Sequence, residues 1–577
     1  MERAPNPFEY EAAYNLPDET IFEVFIPDHN YTRFLQSKRN FFLLGERGSG
    51  KSISLLYSSM KVQRLNVDMQ SNLEHVGVVG IYVPCMNPLY DKKEFELFDD
   101  NVKSIVLSQH LFVLHLAQSL VESLSLLGDF FSLEEERLIF NEIEYVLNIK
   151  LFRDVGVLKS LSLYLDRMSC SVQSDINSQL DQNIDQVSYN FSSLVLPLIK
   201  IFRSSSKLAQ AHFNFLIDDA NELNIYQQRA LNSLISYRDH TLFSFKVAIP
   251  SFYDYSFNTL SKGEILEGHD YVLIDLEREY QSKLSPYGQF AREVVKTRLD
   301  RLGINLNPED FFPFSPSLIS GMESAKDKAK IIATKEEGYA DTKQIADYVY
   351  KQHRAIYFRD RASKANLPPY SGFETIVHAS TGIIRNLLLP CYWMYDMACS
   401  EARVRGKPCT EIYEISPRIQ KEILVDRSKE LWDSFGNLST CIEGCDSESQ
   451  NKLYNLFDQL GVLFRKRLLN HKSEPRAITF TISGLTDYYE KRIFPLLEIA
   501  RKARLLYFRE GPSKDDGKRE RYYVPNRLLW IVRGLDPVGQ FARVSIAAKN
   551  ILAATEGKPI PLSRSAKTES QGSLCQI

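Results

Sequence analysis

Cysteine is scarce and poorly spaced for chemistry: eight in 577 residues, at positions 85, 170, 391, 399, 409, 441, 445 and 575, with no C-x-x-C pair. That spacing argues against a zinc ribbon or a dithiol redox site and suits reduced structural thiols, as in a cytoplasmic protein. Charge of one sign is also lacking. The 70 Lys and Arg stand against 73 Asp and Glu, a formal net charge of -3, so any hold on nucleic acid or anionic lipid must come from a local patch. Long apolar runs are missing too. Leu111 to Leu127 is broken by His115, Gln118 and Glu122, and Ile383 to Tyr395 by Arg385 and Asn386, short of the ~20 apolar residues a membrane span needs. Met1 to Asn15 carries neither the basic start nor the apolar core of a secretory signal. A cytoplasmic chain with no membrane partner is expected, with room for three or four domains of roughly 150 residues.

What is present begins at Phe41-Phe42-Leu43-Leu44, an apolar run followed by Gly45, Glu46, Arg47, Gly48, Ser49, Gly50, Lys51 and Ser52, and then by helical apolar spacing over Ile53 to Leu65. The pattern is strand, loop, helix around a complete Walker A motif. Glycines permit a compact turn whose N–H groups converge on phosphate oxygens, and the helix N-terminus adds positive potential. Lys51 then bridges the outer phosphates and Ser52 ligates Mg²⁺. ATP and Mg²⁺ are the expected cofactors, adenine being favoured only because no Asn/Thr-Lys-x-Asp guanine-reading motif stands at a strand end.

Further strand-like runs follow at Val76 to Val83, Phe213 to Ile217, Phe243 to Ile249 and Tyr271 to Leu276. Their near-continuous apolar character is that of parallel strands covered on both faces. The expected fold is α/β: a P-loop NTPase doubly wound parallel sheet with a large helical insertion, a helical lid and a C-terminal α+β winged-helix-like domain. The expected divisions are an N-terminal arm (1–20), the P-loop ATPase domain (21–280, with the insertion at 84–212), the lid (281–405), the winged-helix-like domain (406–550) and a disordered tail (551–577). The winged-helix expectation rests on two β-prone runs, Arg504 to Phe508 and Arg521 to Val524, around a charged turn.

Phe213-Asn214-Phe215-Leu216-Ile217-Asp218-Asp219 is an apolar strand ending in two carboxylates. Beside the P-loop strand, Asp218 can hold Mg²⁺ through water while a second carboxylate polarises the attacking water. Asp219 is the first candidate base and Glu222 competes with it. The same acids can also start the next helix as an N-cap. Ser251, just past the strand Phe243 to Ile249, can orient water or sense the γ-phosphate, though a strand-terminal serine can equally satisfy backbone groups. Arg238, at the end of the intervening helix, can serve as an arginine finger or simply complement the helix dipole.

Walker A, the Asp-Asp Walker B, the polar-ended strand and a later helix carrying Gly382-Ile383-Ile384-Arg385 together resemble AAA+ ATPases of the origin-recognition, or initiator, type and the related STAND ATPases. The resemblance spans about residues 20 to 400, together with the winged-helix-like segment behind. It implies that Arg385 is the lid arginine that contacts the γ-phosphate; from the residues alone, an arginine in a Leu-rich helix can equally be an internal ion pair. Two departures stand out: Asp-Asp where the family usually has Asp-Glu, and an interval of 167 positions from Lys51 to Asp218. They suggest slow turnover or a nucleotide-held switch, and a specialised partner surface on the insertion.

Residues 501 to 527 hold nine basic side chains against four acidic, a net of +5, beside Tyr522 and Tyr523. Such a hairpin can lie along a duplex DNA backbone, or be a solvated charged turn. A second cluster, Arg465-Lys466-Arg467 with His471, Lys472 and Arg476, points the same way. The expected activity is ATP hydrolysis by a switch, which the resemblance implies forms a homo-oligomer and engages DNA through its C-terminal domain, as an initiator-like protein or a defence-type sensor; the alternative is a nucleotide-binding scaffold with little turnover that recruits a protein partner.

Overall fold

The apolar runs become the five strands of one parallel sheet: β1 (Phe41–Leu44), β2 (Val78–Pro84), β3 (His212–Asp218), β4 (Phe243–Ile249) and β5 (Val272–Asp275), in the order β2-β3-β4-β1-β5. The structure, a computed structural model, describes residues 6–9, 12–27, 32–66, 76–85, 101–128, 131–177, 188–237, 241–251, 254–261, 263–276, 287–362, 366–470, 476–512, 519–539 and 543–562. Two compact bodies divide the chain: Glu11–Glu279, and Tyr280–Ile577 together with Met1–Tyr10. Residues 6–9 of the expected N-terminal arm therefore belong to the second body, where Phe8 is buried against Phe311, Phe312 and Tyr395.

In the first body every neighbouring strand pair is parallel, and alternate side chains point to opposite faces. Phe213, Phe215, Phe243 and Phe245 enter one core, and Leu43, Leu216 and Ala248 enter the other. Helix α1 (Lys51–Ser58) covers the second face with Leu55, Leu56 and Tyr57. The first face is covered by the insertion itself: α2 (Asn101–Ser125), α3 (Leu133–Leu147), α4 (Val157–Asn177) and α5 (Val195–Phe202). Burial on both faces is why the strands read as unbroken apolar runs. Ser104–Ser125 is, by length and composition, apolar enough to cross a membrane, but 78% of its most apolar 18-residue stretch is buried inside the fold, as a core helix should be. A capping box starts α3, with Ser132 accepting from Glu135 N–H and the Glu135 side chain accepting from Ser132 N–H.

One expectation about this sheet is corrected. The strand that ends in Asp218 does not lie beside β1; β4 stands between them. The chain leaves β1 for the far edge at β2 and returns one strand at a time through β3 and β4, then crosses β1 to β5. Connections after β1 and β4 thus depart in opposite directions, and the carboxyl ends of these two strands flank a crevice of the kind that binds ligands in open α/β sheets.

In the second body, α6 (Tyr287–Arg301), α7 (Pro316–Lys335), α8 (Thr342–Ala362), α9 (Phe373–Ala379), α10 (Ile384–Val404), α11 (Pro417–Asp433) and α12 (Ser447–Leu469) precede a four-stranded sheet. The strands are β6 (Thr479–Ser483), β7 (Leu506–Pro512), β8 (Arg519–Pro525) and β9 (Arg543–Ala547), ordered β7-β8-β6-β9, with α13 (Asp487–Lys502) between β6 and β7. The expected hairpin is β7 and β8, antiparallel with Phe508 opposite Tyr523. Strands β6 and β9, parallel to each other, extend it. Helix α14 (Ala548–Thr555) occupies the first residues of the expected tail, because Ala548, Ile551 and Ala554 bury an apolar stripe.

The proposed lid and the proposed C-terminal domain fall within this one body. Arg354 of α8 grips buried Asp536 through two hydrogen bonds of 2.7 and 2.9 Å, and Arg476, ahead of β6, lies 3.8 Å from the same carboxylate. A buried carboxylate needs such partners, and here they tie segments 182 residues apart.

Candidate functional site

The loop after β1 is held from both sides. Gly45 N–H donates to Ile249 O at the end of β4 at 3.3 Å, and Leu276 N–H, just past β5, donates to Leu44 O at 2.9 Å. Gly48 and Gly50 take φ of 94° and 104°, left-handed values that glycine adopts without strain. Gly45 has a different reason: a Cβ there would lie 2.6 Å from Ser49 Oγ. Lys51, 5% exposed, turns its ammonium back to Gly45 O at 2.6 Å and Glu46 O at 3.4 Å. Burial pulls its pKa below the usual lysine range, against the opposing pull of Asp219 and Asp218.

Asp218 is the last residue of β3 and is 3% exposed. Its Oδ2 accepts from the Tyr82 hydroxyl at 2.8 Å and its Oδ1 from Asp219 N–H at 3.1 Å. Ser52 and Lys51 lie close enough to the same carboxylate to favour its charged form. Burial first, and the neighbouring Asp219 second, push Asp218 up to about 6, outweighing these stabilising contacts. The Walker A hydroxyl and the Walker B carboxylate therefore share one spot although 166 positions separate them in sequence. Two observations fit a phosphate and a metal here: Ser49 Oγ is buried without a hydrogen-bond partner, and the donor set is hydroxyl, carboxylate and ammonium, hard groups suited to Mg²⁺ and phosphate.

Asp219 adopts φ 52°, ψ 46°, a left-handed conformation uncommon for aspartate. The helix that follows, Ile225–Ile235, is capped by Asn224, whose side chain accepts from Tyr226 and Gln227 N–H. Neither aspartate is spent as its N-cap. Glu222 is engaged: its Oε1 accepts from Arg47 at 3.1 Å and from Asn221 Nδ2 at 2.9 Å. Ser251 lies two residues past β4, half-buried, its carbonyl accepting from Asp254 N–H. Arg385 is in the first turn of α10, in the second body, after Thr381 and Gly382 at φ 58° and 85°. Arg238 lies outside the described residues.

Sequence reasoning missed Tyr82. Its signal was a single polar-tipped ring in the apolar run Val78–Pro84, two residues before Pro84, which is in register with Asp218. It also missed the grip of the insertion on this end of the sheet. His115 of α2 donates from Nε2 to Pro84 O at 2.9 Å, the tautomer being fixed because a carbonyl only accepts. Asn224 Nδ2 donates to Ser108 Oγ of the same helix at 3.2 Å.

In the second body, several residues of the basic stretch face inward. Tyr522 and Tyr523 are 8% and 4% exposed, and Tyr523 stacks on Phe480 at 5.2 Å. Arg501 and Arg509 are buried, the former on Glu498 at 2.8 Å. Arg521 lies over Phe494 and Phe508, and Arg543 over Tyr522. Lys514, Lys518, His471 and Lys472 fall outside the described residues.

The sequence matches the ORC-CDC6-like family over residues 6–339 and 315–546. The chain belongs to that family. It is thus an AAA+ ATPase of the origin-recognition, or initiator, type, with the α/β P-loop fold and helical parts described above. No curated protein matches it. Among solved structures, Cdc6p from Pyrobaculum aerophilum aligns over 95% of this chain and 96% of its own at 11% identity, with a TM-score of 0.24.

Proposed function

We propose that the protein is an ATP-driven switch that hydrolyses its nucleotide, oligomerises and engages duplex DNA through its C-terminal body. The observation that carries the reading is the convergence of buried Lys51, buried Asp218 and half-buried Ser52 at the carboxyl ends of the sheet. In this reading the backbone of Gly45 to Ser52 cradles the phosphates and Lys51 pairs with the outer two. Ser52 and Asp218 hold Mg²⁺, whose charge neutralises the phosphate oxygens. Asp219 accepts the proton of the attacking water; Ser251 orients that water and Arg385 reads the γ-phosphate. A ligand shifts a conformational equilibrium only through contacts that differ between states, and a γ-phosphate arginine supplies one. The winged-helix-like role is proposed for the α13–β7–β8 segment, with Lys502, Arg504, Lys518, Arg519 and Arg521 as its basic contacts.

Phosphate release by wild type, Lys51→Ala and Asp219→Asn tests this. Loss in both variants is expected, and Lys51→Ala should also bind nucleotide about tenfold or more weakly, as expected for losing a charge-assisted hydrogen bond. Equal residual release in all three rejects hydrolysis. For DNA, binding should weaken as salt rises and on neutralising Lys518, Arg519 and Arg521; mass measured with and without ATP and Mg²⁺ tests oligomerisation. A second reading, a scaffold with little turnover that recruits a protein partner, is favoured by the Arg47–Glu222 pair, which occupies the carboxylate nearest the Walker B aspartates in sequence.

A further inference from the structure

Tyr82 is 7% exposed, and its backbone is pinned by pairing with Leu216 in β3. Its hydroxyl reaches Oδ2 of Asp218 at 2.8 Å while Asp219 N–H holds Oδ1 at 3.1 Å. One donor on each oxygen fixes the carboxylate plane, since rotation about the Cβ–Cγ bond breaks both hydrogen bonds. The two donors differ in kind. The backbone amide is set by the turn at Asp219, whereas the phenol arrives from a different strand and shares a rigid ring with no freedom to follow a rotating carboxylate. Each carboxylate oxygen still has a second acceptor site, so these contacts leave it able to receive a metal-bound water. On its other side the Tyr82 ring meets the Lys61 ammonium, 5.8 Å from its centroid, so the ring is braced from the segment that follows α1.

We propose that Tyr82 is the positioning residue of the Mg²⁺ site, holding the Asp218 carboxylate in the orientation that metal-bound water needs. This rests on the reading that Asp218 and Ser52 hold Mg²⁺. Outer-shell partners that orient the groups around a metal change metal affinity about 10–100-fold when removed. A tyrosine that merely satisfies its own buried hydroxyl has no such effect.

The test uses the full chain and the fluorescent analogue N-methylanthraniloyl-ATP, titrated with Mg²⁺. For Tyr82→Phe, which keeps the ring, the Mg²⁺ concentration at half-saturation should rise about tenfold or more, with analogue affinity in EDTA unchanged. Asp218→Asn should abolish the Mg²⁺ dependence, and adding Tyr82→Phe to it should change nothing further. A Mg²⁺ midpoint equal to wild type in Tyr82→Phe overturns the positioning role, as does an equal loss of affinity with and without Mg²⁺, which marks a purely structural contact. Should wild type itself bind the analogue identically with and without Mg²⁺, the metal reading fails before the tyrosine is considered.

Discussion

The two bodies treat buried charge in opposite ways. In the second, Asp536 is enclosed with its counter-ions: burial raises its pKa, but Arg354 and Arg476 outweigh burial and hold it below the usual carboxylate range. In the first, Asp218 is equally enclosed, has a second acid beside it, and is pushed up to about 6. Lys51, close enough to act on it, donates instead to loop carbonyls. A compensated buried charge holds segments together; an uncompensated one is a standing cost that a fold retains where a ligand completes it.

The sharpest way to break this contrast is to remove one acid from each body. Asp536→Ala strands two arginines whose side chains are 14% and 8% exposed, and unfolding of the full chain in guanidinium chloride should show a loss of about 3–5 kcal/mol. Asp218→Asn should act in the other direction. Its folded pKa lies above the usual 3.8, so folding favours the protonated form; stability from this group is full below pH ~4 and lost as pH rises through about 6. At pH 7.5, without nucleotide or Mg²⁺, the asparagine variant should be more stable than wild type by about 1–3 kcal/mol. Destabilisation by both substitutions, of similar size, would make Asp218 a structural charge like Asp536.

Two histidines sharpen the same comparison with pH. Burial lowers His115 to about 4 in the first body; in the second, desolvation and then the nearby Arg527 lower His378 to about 3, although its side chain is 34% exposed, so solvent screens its share. Both fold as the neutral form, so their contribution is present above pH ~6.5 and is lost as pH falls towards those values. Acid should therefore destabilise both bodies between pH 6.5 and 4. The His115 imidazole carries the bond from α2 to Pro84, so His115→Asn should flatten the acid dependence by about 1–3 kcal/mol over that range. An unchanged pH profile would show that His115 does not link the insertion to the sheet electrostatically.

How much of this was legible differs between the bodies for a physical reason. The P-loop and all five strands of the first sheet were readable because parallel strands buried on both faces need local apolar runs, and because Gly48 and Gly50 meet backbone demands that few other residues can. Strand order was not readable: nothing within Phe213–Asp218 records that Phe243–Ile249 will separate it from β1. Tyr82 was hidden for the same reason, its partner lying 136 positions away. In the second sheet the hairpin was visible as two β-prone runs around a turn, whereas β6 and β9 find each other across more than 60 residues. Reading basic residues as a surface also misled, since Arg476, Arg501 and Arg509 are buried and only their partners reveal it.

The smallest expected effect concerns the ion pair that joins Arg47 of the P-loop to Glu222. Arg47 and Glu222 lie 3.1 Å apart with side chains 53% and 29% exposed, an arrangement worth less than about 1 kcal/mol to stability because water and salt screen it. Arg47→Ala and Glu222→Gln should accordingly leave unfolding midpoints almost unmoved. Their value is kinetic. With Asp219 as the base, Glu222 is occupied by Arg47 and Asn221, and Glu222→Gln should keep phosphate release within about threefold of wild type, far less than removal of a general base costs. A hundredfold loss in Glu222→Gln, with Asp219→Asn near wild type, would move the base to Glu222. The pair would then be a latch: Arg47 must release the carboxylate before water is activated, and Arg47→Ala should raise the rate rather than lower it.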